Sequence, residues 1–133
     1  MAYELRGSEI LDKLLEAQDV GADAEATKDY IIPESQSWFI LSVGGSTSAD
    51  VAEIEFMFSP DGGETWLNPY DGTNDVLRCC HITKGTPAQI DMANPMKFDG
   101  DGVNTIIRIK VKNLNGTTAD EIVGWLNGWI EYR

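Results

Sequence analysis

The sequence predicts an all-β fold: a two-sheet β-sandwich, jelly-roll-like, of about eight strands. Three observations lead there. Segments rich in β-branched and aromatic residues recur from Thr27 to the end of the chain, and several alternate apolar with polar residues. Turn-forming stretches separate them at regular spacing, among them GGSTSAD, PYDGTND, KGTP and LNGTTAD. Only one short segment, near the start, reads as helix. Eight strands suit two packed sheets of four.

That segment is SEILDKLLEA, residues 8–17. Ser8 suits an N-cap and Glu9 the first helical turn, with Ile10, Leu11, Leu14 and Leu15 along one face. So short a helix needs a surface to lie on, and an extended arm is the alternative. Residues 1–20 are therefore expected to form an N-terminal arm or short helix, and residues 21–133 a single β-sandwich domain. Leu11, Leu14 and Leu15 are more apolar than a free arm should be, which marks them as candidate contacts to a neighbouring subunit or partner.

The strands follow in order. KDYIIP stops at Pro33. SWFILSV is apolar from Trp38 to Leu41 and is expected to be covered on both faces. GGSTSAD reads as a polar loop. VAEIEFMF alternates, with Ala52, Ile54, Phe56 and Phe58 facing one way and Glu53 and Glu55 the other. A turn over SPDGG follows, and TWLN returns from it. VLRCCHI is a strand, AQIDM a short one, and NPMKFDGDG mostly loop. VNTIIRIKVKN points Val103, Thr105, Ile107, Ile109 and Val111 inward and Arg108, Lys110 and Lys112 outward. EIVGWLNGWIEYR closes the chain: Ile122, Leu126 and Ile130 alternate with Gly124 and Gly128 on one face, and Trp125 and Trp129 share the other. A segment apolar on both sides belongs in a central strand or at an interface, and tryptophan is enriched at binding hot spots. Trp125 and Trp129 thus join the candidate interface residues, as core, subunit contact or sugar-stacking surface.

Charge limits the partners. The chain carries 22 acidic and 10 basic residues, a net charge of −12. Such a surface repels nucleic-acid backbones and anionic membranes, and disfavours an anionic sugar. No apolar run approaches the ~20 residues that span a bilayer. The opening MAYELRGSEI shows no basic stretch leading into an apolar one, so synthesis and folding in a cytoplasm are expected. Cys79 and Cys80 are adjacent and would point to opposite faces of a strand, so an ordinary disulfide between them is not expected. CCH at 79–81 offers at most two metal ligands on one face, Cys79 and the single histidine, His81, too few for a closed zinc site. Asp99 and Asp101 sit in a stretch that fails the EF-hand spacing, since Val103 and Lys110 stand where oxygen ligands are needed; a solvated turn is expected there, with a non-EF calcium site using the two aspartates as the alternative. No metal, no cofactor and no nucleophile–base pair is expected, and hence no enzyme.

The stretch Ser59-Pro60-Asp61-Gly62-Gly63-Glu64-Thr65-Trp66 fits the pattern S-x-D-x-G-x-T-W. It resembles the Asp-box, the hairpin motif repeated in sialidase propellers. A propeller blade takes ~40–45 residues, so 133 residues would fill about three, and the motif does not recur. The sialidase site, with its arginine triad, tyrosine nucleophile and glutamate, has no counterpart in a chain with four arginines, two of them near the ends. The motif is read as structural. Asp61 and Ser59 accept hydrogen bonds from turn amides, Gly62 and Gly63 permit positive φ, and Thr65 and Trp66 begin the return.

A wider resemblance runs over residues 14–132. Leu14-Leu15, the Ser59–Trp66 hairpin, the strand Ile107–Asn113 and the Gly124–Gly128 segment, in this order, look like small β-sandwich proteins of tailed-bacteriophage virions. That resemblance implies a non-enzymatic virion structural protein, made in a host bacterial cytoplasm. Such proteins serve as capsid decoration proteins, head fibres or tail components; the expectation here is a capsid decoration or cement protein that binds the major capsid protein or another virion protein as a homo-oligomer, a trimer. The alternative it leaves open is a tail-associated adhesion or carbohydrate-binding module. The stripe Arg108, Lys110 and Lys112 is expected either to pair with Glu53 and Glu55 or to meet an acidic patch on a partner.

Overall fold

The computed structural model describes residues 8–69 and 77–133, and for Ser8, Gln18 and residues 77–81 the backbone alone. Its described residues form eight strands and no helix: β1 (Ser8–Val20), β2 (Glu25–Ile31), β3 (Gln36–Thr47), β4 (Ala52–Ser59), β5 (Leu77–Ile82), β6 (Ala88–Asp99), β7 (Ile106–Asn113) and β8 (Asp120–Tyr132). They make two four-stranded sheets, ordered β1-β8-β3-β6 and β2-β7-β4-β5. Every first-half strand pairs antiparallel with its mirror in the second half: β1 with β8, β2 with β7, β3 with β6, β4 with β5. The chain is thus one long hairpin rolled up until β3 meets β8 and β4 meets β7. This is the jelly-roll form of the sandwich.

The helix expected over residues 8–17 is a strand. β1 lies beside β8 in unbroken register from Ser8↔Glu131 to Ala17↔Ile122. Leucine, lysine, glutamate and alanine favour helix only weakly, and an unpaired β8 edge offers a continuous ladder that overrides the preference. The four residues assigned to one helical face therefore divide. Leu11 and Leu15 point into the core, 1% and 7% exposed, whereas Ile10 and Leu14 point outward, 84% and 44% exposed. The boundary drawn at residue 20 falls between β1 and β2 of the same sandwich.

The core lies between the sheets. Leu11, Leu15, Trp38, Ile40, Val43, Ile122, Leu126 and Ile130 come from the first sheet, and Ile54, Phe56, Ile107, Ile109 and Val111 from the second. The alternation of β4 and β7 is as expected, except that Val103 and Thr105 sit before β7, Val103 being 65% exposed. Gly124 lets Ile109 and Val111 press against β8, where a Cβ would lie within 2.9 Å and 3.3 Å of them. Between β1 and β2 the gap is closed by side chains. Tyr30 Oη donates to the Leu14 carbonyl at 2.7 Å, and the Lys13 ammonium lies over the Tyr30 and Trp38 rings. Buried Asn113 joins β7 to two other segments. Its Nδ2 donates to the carbonyls of Val20 and Thr118, each at 3.0 Å, and its Oδ1 accepts from Asn115 N–H.

Three boundaries differ from expectation. GGSTSAD is not all loop, because β3 continues to Thr47. AQIDM and the following NPMKFD are one strand, β6. Pro95 interrupts it without ending it, since β6 is an edge strand and the register jumps between Asp91 and Met96 opposite Ser42 and Ile40. TWLN contributes a single bridge, Phe58↔Leu67. Residues 70–75 of the expected PYDGTND loop and the side chains of Cys79, Cys80 and His81 lie outside the described residues.

Candidate functional site

The SPDGG hairpin is self-contained. Ser59 Oγ donates to Asp61 Oδ1 at 2.8 Å and accepts from Gly63 N–H at 2.8 Å, while Thr65 N–H donates to Asp61 Oδ1 at 2.8 Å. Gly62 and Gly63 take φ of 77° and 99°, which side chains rarely adopt. Hydrogen bonds from Thr65 and Ser59 hold the Asp61 carboxyl at about 2, below its usual range. The turn expected over residues 99–104 is of the same kind. Asp101 Oδ1 accepts from the N–H groups of Val103, Asn104 and Thr105 at 2.9, 2.6 and 3.2 Å, and this pulls its pKa down to about 2. The two turns are joined by Gly62 N–H donating to the Asn104 carbonyl at 3.0 Å. Trp66 covers the Arg108 guanidinium, 3.8 Å from its ring centroid. The candidate hairpin residues thus hold one another.

On the outer face of the second sheet, Arg108 and Lys110 pair with carboxylates of the same sheet. Arg108 makes a two-point pair with Asp29, Nε at 2.7 Å and an Nη at 2.9 Å, and lies two positions along β7 from Lys110. Lys110 reaches Glu25 at 3.0 Å and Glu55 at 3.8 Å. Lys112 stands in register between Glu25 on β2 and Glu53 on β4. Arg108 thus pairs with Asp29, which the sequence reading did not name, and Lys110 with Glu25 as well as with the expected Glu55.

The outer face of the first sheet is different. One row across it runs Ile10, Trp129, Phe39, Lys97, and another runs Leu14, Trp125, Gly44, Gln89. Phe39 and Trp129 stack at 4.8 Å with 5° between the rings, and the Lys97 ammonium is 5.8 Å from the Phe39 centroid. Trp125 reaches across Gly44, which has no side chain, and its Nε1 donates to Gln89 Oε1 at 3.1 Å. A bulge in β3 between Ile40 and Ser42 leaves Leu41 38% exposed. The apolar run Trp38–Leu41 is therefore not covered on both faces, as the sequence suggested. Between the two apolar rows lies a polar one: Asp12, Asn127, Ser42, Asp91. Asn127, with its amide oriented to satisfy both ends, donates to Asp12 Oδ1 at 3.1 Å, and Gln89 Nε2 donates to Asp91 Oδ1 at 2.7 Å. Neither aspartate has a cation within ion-pair reach among the described residues.

The sequence-selected interface residues thus separate. Leu14, Trp125 and Trp129 come together on this face. Leu11 and Leu15 do not, because they are core. Ile10, Phe39 and Leu41 belong to the face and were missed. The signal was available in the alternation of Ile10, Asp12 and Leu14, but a helical period was imposed on it. Among the described residues no group of three or more His, Cys, Asp or Glu side chains is placed to hold a metal ion.

No family model matches the chain. No curated protein matches it either. Solved structures match it over most of its length, all at low identity and low TM-score. A chain of infectious bursal disease virus, Gx strain, is 12% identical with a TM-score of 0.44, covering 94% of this chain and 33% of that one. A chain of Desmodium yellow mottle tymovirus is 7% identical with a TM-score of 0.40, covering 99% and 91%. A pilus subunit of Bacillus endospore appendages is 15% identical with a TM-score of 0.39, covering 99% and 96%. This chain spans about a third of the bursal disease virus chain it matches. At these identities and scores the likeness does not reach function.

Proposed function

We propose that the chain is a non-enzymatic structural protein of a virion, a capsid decoration protein that attaches through the outer face of the β1-β8-β3-β6 sheet. The observation that carries this reading is the contrast between the two sheet faces. One sheet pairs its outward charges internally, through Arg108–Asp29 and Lys110–Glu25. The other exposes Ile10, Leu14 and Leu41 beside Trp125 and the Phe39–Trp129 stack. An apolar, aromatic surface left open beside an acidic remainder is the composition of a docking site rather than of a free surface.

The face measures about 20 Å by 20 Å from strand spacing and rise, on the order of 400 Å² in projection. Stable specific interfaces bury roughly 800 Å² per partner. One copy would therefore hold weakly, and copies joined as a homo-oligomer, a trimer in our reading, would hold by simultaneous engagement. The major capsid protein, or another virion protein, is the partner in this reading.

The test is co-sedimentation with capsids assembled without this chain, alongside a native mass measurement. Saturable binding at a fixed number of copies per capsomer, by an oligomer, is expected. Failure to bind any capsid would refute the proposal, as would turnover of a glycoside lost on substituting one carboxylate.

A further inference from the structure

The polar row inside the docking face says what its partner carries. Asp12, Asn127, Ser42 and Asp91 run across all four strands of the sheet, between the Ile10–Trp129–Phe39 row and the Leu14–Trp125 row. The pleat places each apolar row about 7 Å from this one. Asp12 and Asp91 accept hydrogen bonds from neutral amides, those of Asn127 and Gln89, and from no cation among the described residues. Covering them with an apolar surface would strip water from two charges without replacing it.

We infer that this face takes a protein surface bearing a lysine or arginine between two apolar ridges, and not a second copy of this chain. The inference rests on the structural-protein reading above and names the partner chemistry for the same face. A second copy laid face to face fails on charge. With the two-fold axis along the polar row, Asp12 meets Asp12 and Asp91 meets Asp91. With the axis along the strands, Asp12 meets Asp91. Either arrangement buries like charges in a chain of net charge −12.

A neutral sugar is the other occupant that aromatic rings invite, but it needs free ring faces. Phe39 has Trp129 on one side and the Lys97 ammonium near the ring at 5.8 Å, so its faces are taken by this chain. Trp125 is tied down by Gln89 and Trp129 by Glu131, which accepts from its Nε1 at 2.8 Å. Rings fixed in this way, with an acidic row between them, offer a rigid relief to a complementary protein surface.

The experiment compares Asp12→Asn/Asp91→Asn with Asp19→Asn/Asp50→Asn, which removes the same charge from exposed positions off the face. Both are assayed for binding to capsids assembled without this chain, across a salt series, after thermal melts establish that they fold. The expected result is at least a tenfold weaker affinity and a shallower salt dependence for the first pair only. If wild type binds and both pairs bind alike, the inference is wrong while the function stands. If wild type binds no capsid, the function itself has failed. A synthetic β-hairpin alternating leucine and lysine then probes the face directly, and equal binding by the two variants sinks the inference there too. Binding of wild type to a panel of neutral oligosaccharides would transfer the face to sugar. A native dimer dissociated by Ile10→Lys would transfer it to a second copy.

Discussion

Asp61 and Asp101 each spend a carboxylate on turn amides, and both titrate near 2 in the folded chain. Their pKa values are depressed below the ordinary 3.8, so folding favours the ionised forms. The contribution is complete above about pH 4 and is lost as the pH falls toward 2. The double variant Asp61→Asn/Asp101→Asn should therefore flatten the acid limb of the stability curve over that window, measured by denaturant midpoint against pH. An unchanged limb would show that the turns do not use the charge. Asp61→Ala should lower Tm by on the order of 5 °C, by loss of turn hydrogen bonds, and leave capsid affinity per folded molecule unaltered. Retained Tm with lost binding would make the hairpin functional instead of structural. Asn113 is the buried counterpart. Asn113→Leu strands the Val20 and Thr118 carbonyls, and should cost about 1–3 kcal/mol in chemical denaturation.

β1 shows where a sequence misleads at the scale of an element. Its residues favour helix, and Ile10, Leu11, Leu14 and Leu15 recur at helical spacing, yet the same positions alternate Ile10, Asp12, Leu14 outside and Leu11, Lys13, Leu15 inside. Only the presence of β8 decides between the two, and that contact is more than a hundred residues away in the chain. β4 and β7 were legible because Ile54, Phe56, Ile107 and Ile109 alternate with charged residues, and one period fits. β6 was read as a short strand and a loop because Pro95 is a breaker in every position but an edge. Leu41 was assigned to the interior because a bulge cannot be seen in a run of four apolar residues. A deletion follows from the corrected strand. Removing residues 8–20 takes Leu11, Leu15, Ala17 and Val20 from the core and bares β8. The truncated chain should fail to fold, by circular dichroism and melting. A cooperative melt near that of the full chain would restore the free-arm reading.

For the whole molecule, the two outer faces differ in what they leave exposed. The second sheet pairs Arg108 and Lys110 with its own carboxylates, so raising ionic strength should move Tm little, exposed pairs being worth ~0–1 kcal/mol each. Salt should act instead on association with the capsid, slowing it as the field of the acidic row is screened. The most direct measurement sets one face against the other. Ile10→Asp/Leu41→Asp alters the first sheet at two exposed positions, and Ile31→Asp/Val103→Asp adds the same charge at two exposed positions off that face. Both proteins should melt close to wild type, and co-sedimentation with capsids should fall at least tenfold for the first pair and stay near wild type for the second. Equal binding by both, or loss confined to the second pair, would contradict the assignment of the β1-β8-β3-β6 face as the surface by which this protein attaches.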